Sequence, residues 1–198
     1  MPEKNKVRFG LSNVHYAKIT SYDKDGVPTY ETPVRLPGAV NLSLDASGES
    51  EPFYADNIVY YVCNNNSGYE GDLEVALVTT EFATDILGEK LDSNGVIVEC
   101  NDAEPAEFAL FFEFQGDKNK IRHVLHRCSV TRPSTESGTT EDSKEVKTDT
   151  LSIKATALEN GVVKARSCES TDKTTYDNWY KSVYMPTLTE DTPGNSEG

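Results

Sequence analysis

The sequence has little of what marks a membrane span, an enzyme or a nucleic-acid binder. No apolar run approaches the roughly 20 residues that a membrane-spanning helix needs. The opening MPEKNKVRFG is charged and lacks the apolar centre of a signal peptide, so the chain is expected to fold in the cytoplasm. The four cysteines, Cys63, Cys100, Cys128 and Cys168, are scattered without a CxxC, which argues against a zinc ribbon or a thioredoxin-like site. In a reducing compartment they read as small buried hydrophobes. There is no GxSxG elbow, no P-loop and no dinucleotide-binding glycine pattern. Basic residues are scarce too: 19 Lys and Arg stand against 33 Asp and Glu, a net charge of −14. That balance excludes a general basic surface for gripping nucleic acid, though not a protein that encloses DNA without holding it.

Metal ligands are few. His123 and His126 lie in a predicted strand, where a spacing of three sends them to opposite faces. His126 and Cys128 share a face at period two, but nothing nearby completes a zinc set. Asp23-Lys24-Asp25-Gly26 has the opening of a calcium loop without its glutamate and spacing. No metal, no cofactor and no catalytic residue is therefore expected. The aromatics Tyr176, Trp179, Tyr180 and Tyr184 suit a sugar-stacking platform, yet such residues more often form core or interface.

What the chain does have is period-two patterning. At 198 residues it fits a single mainly β domain over residues 1–185, with an acidic, disordered tail over 186–198. Short extended pieces are expected at Val7–Phe9 and Val14–Ile19, broken at Gly10–Asn13. An irregular strand is expected at Thr29–Leu36, demoted by Pro33. Val40, Leu42 and Leu44 alternate with Asn41, Ser43 and Asp45, a strand with one wet face. Asp45–Pro52 is polar and acidic and reads as a long loop; long loops are often functional. Ile58–Cys63 is apolar on both faces, and Asn64–Gly68 reads as a turn.

Leu73, Val75 and Leu77 continue the strand pattern. The period then changes: Phe82, Ala83, Ile86 and Leu87 recur at helical spacing, which predicts one helix over about Thr80 to Leu87. Thr80 is placed to cap it, Glu81 suits the dipole, and Gly88 stops it. Asp92-Ser93-Asn94-Gly95 turns the chain into a strand at Val96–Val98. Phe108–Phe114, FALFFEF, is apolar on both faces and so requires two covers, the helix being the simplest second one and a neighbouring subunit the next. Its partner is Arg122–Thr131. Residues 133–150 are a polar connector. Strands resume at Leu151–Ala157 and Val162–Ser167, with Tyr176–Met185 the last ordered piece. Nine or ten strands and one helix imply a β-sandwich or barrel-like sheet with a flanking helix.

Several of these segments resemble the major tail proteins of long, non-contractile-tailed bacteriophages of Gram-positive hosts. The resemblance lies in KNKVRFGLSNVHYA, in ETPVRLPGAVNLSLD, in EGDLEVALVTTEFATDILGE with DSNGVIVE, in FALFFEFQGDKNKIRHVLHRCSVTRP and in TLSIKATAL, from about residue 4 to about 185. It implies a structural virion protein that polymerises as stacked hexameric rings into the tail tube through which DNA leaves. The implied partners are further copies of itself, the tail tip or baseplate, the tape measure and tail terminator proteins. Double-stranded DNA would pass through without specific binding, and no membrane is involved. The implied location is the virion tail, after assembly in the host cytoplasm.

In such proteins a long early loop reaches the next ring. Carried onto this sequence it is Asp45–Asn57, with Asp45, Ser47, Glu49, Glu51, Phe53, Tyr54 and Asp56 as contact residues. The terminal arms would be Met1–Phe9 and the segment after Tyr184. Glu74, Glu99 and Glu113 each interrupt an apolar strand and are candidate lumen carboxylates, whose repulsion of phosphate acts over about 8 Å at physiological salt. The alternatives are a carbohydrate-binding or adhesion β-sandwich and, weakest, a hydrolase with a spatially assembled triad.

Overall fold

A computed structural model describes residues 9–48, 50–55, 57–116, 120–135 and 147–187. The strands are β1 (Leu11–Tyr22), β2 (Pro28–Tyr30), β3 (Val34–Arg35), β4 (Ala39–Ser47), β5 (Ser50–Ala55), β6 (Ile58–Asn64) and β7 (Gly68–Val75). Helix α1 (Thr80–Asp85) follows, then β8 (Lys90–Leu91), β9 (Ile97–Val98), β10 (Phe108–Phe114), β11 (Arg122–Val130), β12 (Asp149–Ala155) and β13 (Lys164–Arg166). Helix α2 (Lys173–Asn178) comes last. The protein is mainly β, as its patterning implies, but the described residues form two helices rather than one.

The main sheet is antiparallel throughout, in the order β2-β1-β10-β11-β12-β7-β4, with β3 also on β1 and β13 also on β11. It curls so that β4 comes back beside β1. Residues 36–38 bridge the two flanks: Leu36 N–H donates to Val14 O at 2.9 Å, and Ala76 N–H donates to Gly38 O at 2.7 Å. Inside lies one apolar core of Tyr16, Leu73, Phe108, Leu110, Leu125 and Leu151 with Phe82 of α1 and, just past the helix end, Ile86 and Leu87, so the helix stops short of the expected Leu87. Phe82 meets Tyr16 edge-on at 5.1 Å and Phe108 at 5.8 Å. Tyr16 O–H donates to Asp85 Oδ2 at 2.9 Å and ties the helix down.

Several local expectations change. The cap of α1 is Thr79, not Thr80: Thr79 has extended backbone, and its Oγ1 accepts from Phe82 N at 3.2 Å. The break expected at Gly10–Asn13 is a bulge within one long strand, where Asn13 has φ 51° and the register shifts between Ser12 and His15. A second bulge falls in β11, because Leu110 pairs with Leu125 while Phe108 pairs with Cys128. Leu125 and Cys128 therefore both face the core, and the period that put His126 and Cys128 on one face is broken. Among the described residues no group of three His, Cys, Asp or Glu is placed to hold a metal ion. Cys128 is fully buried as expected, but Cys168 is exposed beside Ser170 Oγ at 3.1 Å.

The second cover of β10 also differs. Phe108, Leu110 and Phe112 face the core under α1, while Ala109 and Phe111 face outward with Ala17 and Val124. That outer face is closed by the C-terminal segment, whose Trp179 is 2% exposed. Helix α2 begins this segment, capped by Asp172, which accepts from Thr175 N at 2.9 Å.

Candidate functional site: a projecting ribbon and an acidic sheet face

The segment expected to be a loop is mostly strand. Strand β4 runs on through Asp45 to Ser47, and β5 begins at Ser50, so little of Asp45–Pro52 is left as a connector. Nor is Asn64–Gly68 a reversal. Strand β4 pairs with β7 in register Ser47↔Gly68, Ser67 N–H donates to Ser47 O at 2.8 Å, and β5 then pairs with β6 from Ser50↔Asn64 to Ala55↔Ile58. The two ladders form one long hairpin whose outer part is a two-stranded sheet of its own. At the joint, a Cβ on Gly48 would sit 1.9 Å from Asn65 O, so only glycine lets the strands stay this close. The six residues of β5 span about 20 Å at roughly 3.3 Å each.

This ribbon is apolar yet uncovered. Tyr54 is 63% exposed, Ile58 62%, Val59 50%, Tyr60 71% and Tyr61 63%. Adjacent residues of a strand point to opposite faces, so Val59, Tyr60 and Tyr61 expose both. A lone hairpin is marginal in water and gains stability only by packing against something. Of the expected contact residues, Tyr54 lies on this surface; Asp45 and Ser47 stand on β4 at its base. Glu51 and Phe53 pair with Cys63 and Tyr61 in the ribbon. Glu49 and Asp56 lie outside the described residues, as do residues 1–8 of the proposed N-terminal arm.

The second surface is the solvent face of β4, β7 and β12. Their registers place three rows side by side: Asn41, Glu74 and Thr150; Ser43, Asp72 and Ser152; Asp45, Glu70 and Lys154. No residue in this grid is apolar, because the alternate positions Leu42, Leu73, Leu151 and Ile153 point into the core. Four carboxylates face one ammonium. Lys154 Nζ lies 2.7 Å from Glu70 Oε1 and holds that carboxyl below its ordinary range by hydrogen bond and charge. Ser152 O–H donates to Asp72 Oδ1 at 2.7 Å, and Thr148 O–H donates to Glu74 Oε1 at 2.5 Å.

Only one of the three expected lumen carboxylates belongs here. Glu74 does. Glu99 is exposed beyond β9 and ion-paired with Arg132. Glu113 is a correction: it is 6% exposed and accepts from Asn13 Nδ2 at 3.0 Å, Arg122 Nε at 3.0 Å and Tyr180 O–H at 2.7 Å. An acid in the middle of FALFFEF marked a buried ion pair, not a surface. Glu70 and Asp72 share the parity of Glu74, four and two residues earlier, and that period-two signal is present in the sequence.

The C-terminal aromatics are not an open platform either. Trp179 is buried, and Tyr180 is stacked on His15 at 4.4 Å. Arg122 Cζ lies 3.8 Å above the Tyr176 ring.

The fold is thus that of an antiparallel β-protein whose two distinctive surfaces are a protruding apolar ribbon and an acidic sheet face. No family model matches the chain, and no curated protein matches it.

Proposed function

We propose that this chain is the structural subunit of a bacteriophage tail tube, polymerising as stacked rings around a passage for DNA. The observation that carries the reading is the ribbon of β5 and β6, a two-stranded arm with Tyr54, Ile58, Val59, Tyr60 and Tyr61 open to solvent. An apolar arm of this kind is an assembly device, because burying it against a neighbour removes from water what the subunit alone leaves exposed. The segment resemblance supplies the identity of the assembly; strand β5 of the arm lies within Asp45–Asn57, the stretch that the resemblance gives to the contact between rings, and β6 follows directly after it.

The acidic face of β4, β7 and β12 supports the same reading. A wall bearing Asp45, Glu70, Asp72 and Glu74 repels phosphate over about 8 Å at physiological salt, whereas a basic wall would bind it and release counterions. In this proposal the face lines the passage, the tail tip, tape measure and terminator proteins are the other partners, and the role is structural with no catalytic step.

The test is negative-stain electron microscopy of the purified protein at rising concentration, with sizing alongside. Rings or hollow tubes are expected, formed by the protein alone or on purified tail-tip complex. A monomer that neither polymerises nor is recruited by that complex would overturn the proposal.

A further inference from the structure

We propose that residues 172–187 form a strap that opens and closes over the outer face of β1, β10 and β11 while the sheet stays folded. This inference does not depend on the tube reading.

The strap is attached differently from every strand beside it. Ser167 N–H donates to Arg122 O at 2.9 Å, the last backbone–backbone hydrogen bond to the sheet among the described residues. Beyond it, among the described residues, the backbone–backbone bonds stay within the segment: Thr171 N to Cys168 O, Tyr176 N to Asp172 O, Trp179 N to Tyr176 O, and both Lys181 N and Ser182 N to Asn178 O. Helix α2 is six residues long and buries none of them. A segment without ladder bonds, held by one fully buried side chain, lies at the low end of local stability.

What seats the strap is side chains. Trp179 fills the strip formed by Ala17, Ala109, Phe111 and Val124, where the two alanines leave room for an indole. Tyr180 O–H donates to Glu113 Oε1 at 2.7 Å, and Tyr176 O–H donates to Lys120 O at 2.9 Å. Arg122 reaches the Tyr176 carbonyl through Nη1. On its outer side Trp179 is stacked by Tyr184 of the same strap at 5.7 Å, so the segment carries its own packing and can move as a unit.

One group opposes closure. The Nε1–H of Trp179 is buried and has no acceptor among the described residues. A buried donor without a partner pays its desolvation penalty in full, and opening returns it to water. Closure therefore gains apolar burial and the contacts of Tyr180 to Glu113 and of Arg122 to the Tyr176 carbonyl, but forfeits one hydrogen bond. Opening uncovers the apolar strip Ala17–Ala109–Phe111–Val124 on the central strands.

The chain offers a direct probe, because its single tryptophan is Trp179. Urea titration of the full chain, followed by selectively excited tryptophan emission and by far-ultraviolet circular dichroism, separates strap from sheet. The expected result is a red shift of emission at lower urea than the loss of sheet signal, with a shallower dependence because less surface is exposed. Superimposable transitions, or emission already red in native buffer, would overturn the proposal. Tyr180→Phe removes the bond to Glu113 and is expected to lower the emission midpoint alone. An equal shift of both midpoints would overturn it.

Discussion

Arg122 Nε donates to Glu113 Oε1 across 3.0 Å between adjacent strands, with the guanidinium 3.8 Å above the Tyr176 ring and 5.0 Å from that of Tyr180. The pair is directly opposed in the β10–β11 register and largely hidden from water, the two side chains being 19% and 8% exposed. Removing one partner leaves the other buried without its counter-charge. Arg122→Ala is therefore expected to destabilise the protein by about 3–5 kcal/mol, the range for breaking one side of a buried pair. Chemical denaturation of the variant checks it, and a loss below about 1 kcal/mol would mean that water reaches Glu113.

The ribbon gives the opposite expectation. Tyr60 and Tyr61 are 71% and 63% exposed, so Tyr60→Asp with Tyr61→Asp should change subunit stability by no more than about 0.5 kcal/mol per site. Under the proposed function the same double variant loses ring and tube formation. Thermal melting and electron microscopy on one preparation read both, and tubes from this variant would remove the ribbon from the assembly contact.

Charge reversal examines the acidic face. Asp72→Lys combined with Glu74→Lys puts two further ammonium groups beside Lys154 on a surface that tolerates polar exchange. The wild type is expected not to retard double-stranded DNA, and the variant to bind it weakly. That binding should fall steeply between 50 and 200 mM salt, as counterion release requires. A wild-type protein that itself bound DNA would contradict the repulsive role.

His126 provides a pH dependence. It is fully buried, neither ring nitrogen has a hydrogen-bond partner among the described residues, and burial lowers its pKa from 6.5 to about 4. The unfolded chain then binds a proton that the folded one refuses between those values, so stability falls as pH drops from 6.5 toward 4. The span corresponds to roughly 3 kcal/mol at 1.36 kcal/mol per pH unit. His15, also lowered chiefly by burial, acts in the same direction. Denaturation of wild type and His126→Leu at pH 7, 5.5 and 4.5 isolates the contribution, since the carboxylates are common to both. Parallel profiles would exclude His126 as the source.

How far each element was legible follows from how local its cause is. The alternation of Leu73 and Val75 with Asp72 and Glu74 predicts a one-sided strand, and β7 is one. Phe82, Ala83, Ile86 and Leu87 predict a buried helical face, and all four are in the core. Asp45–Pro52 reads as a loop yet is mostly strand, because acidic residues suit a loop and an exposed strand equally. Only pairing with β7 decides between them. Helix α2 had a signal in Asp172, three residues before the Thr175 N–H that it caps, but without apolar periodicity nothing marked what followed.

By itself the sequence determined the β class, the place of α1, the wet and dry faces of the strands and the need of FALFFEF for two covers, because each rests on a period or a volume carried by neighbouring residues. Tertiary structure alone decided the rest. Residues 64–68 continue a ribbon rather than turn it, Glu113 is paired rather than displayed, and the second cover is Trp179 rather than α1. These outcomes depend on which strand lies beside which, and pairing between separate segments leaves no trace in the local pattern. A carboxylate reads the same in sequence whether an arginine on the next strand neutralises it or water does.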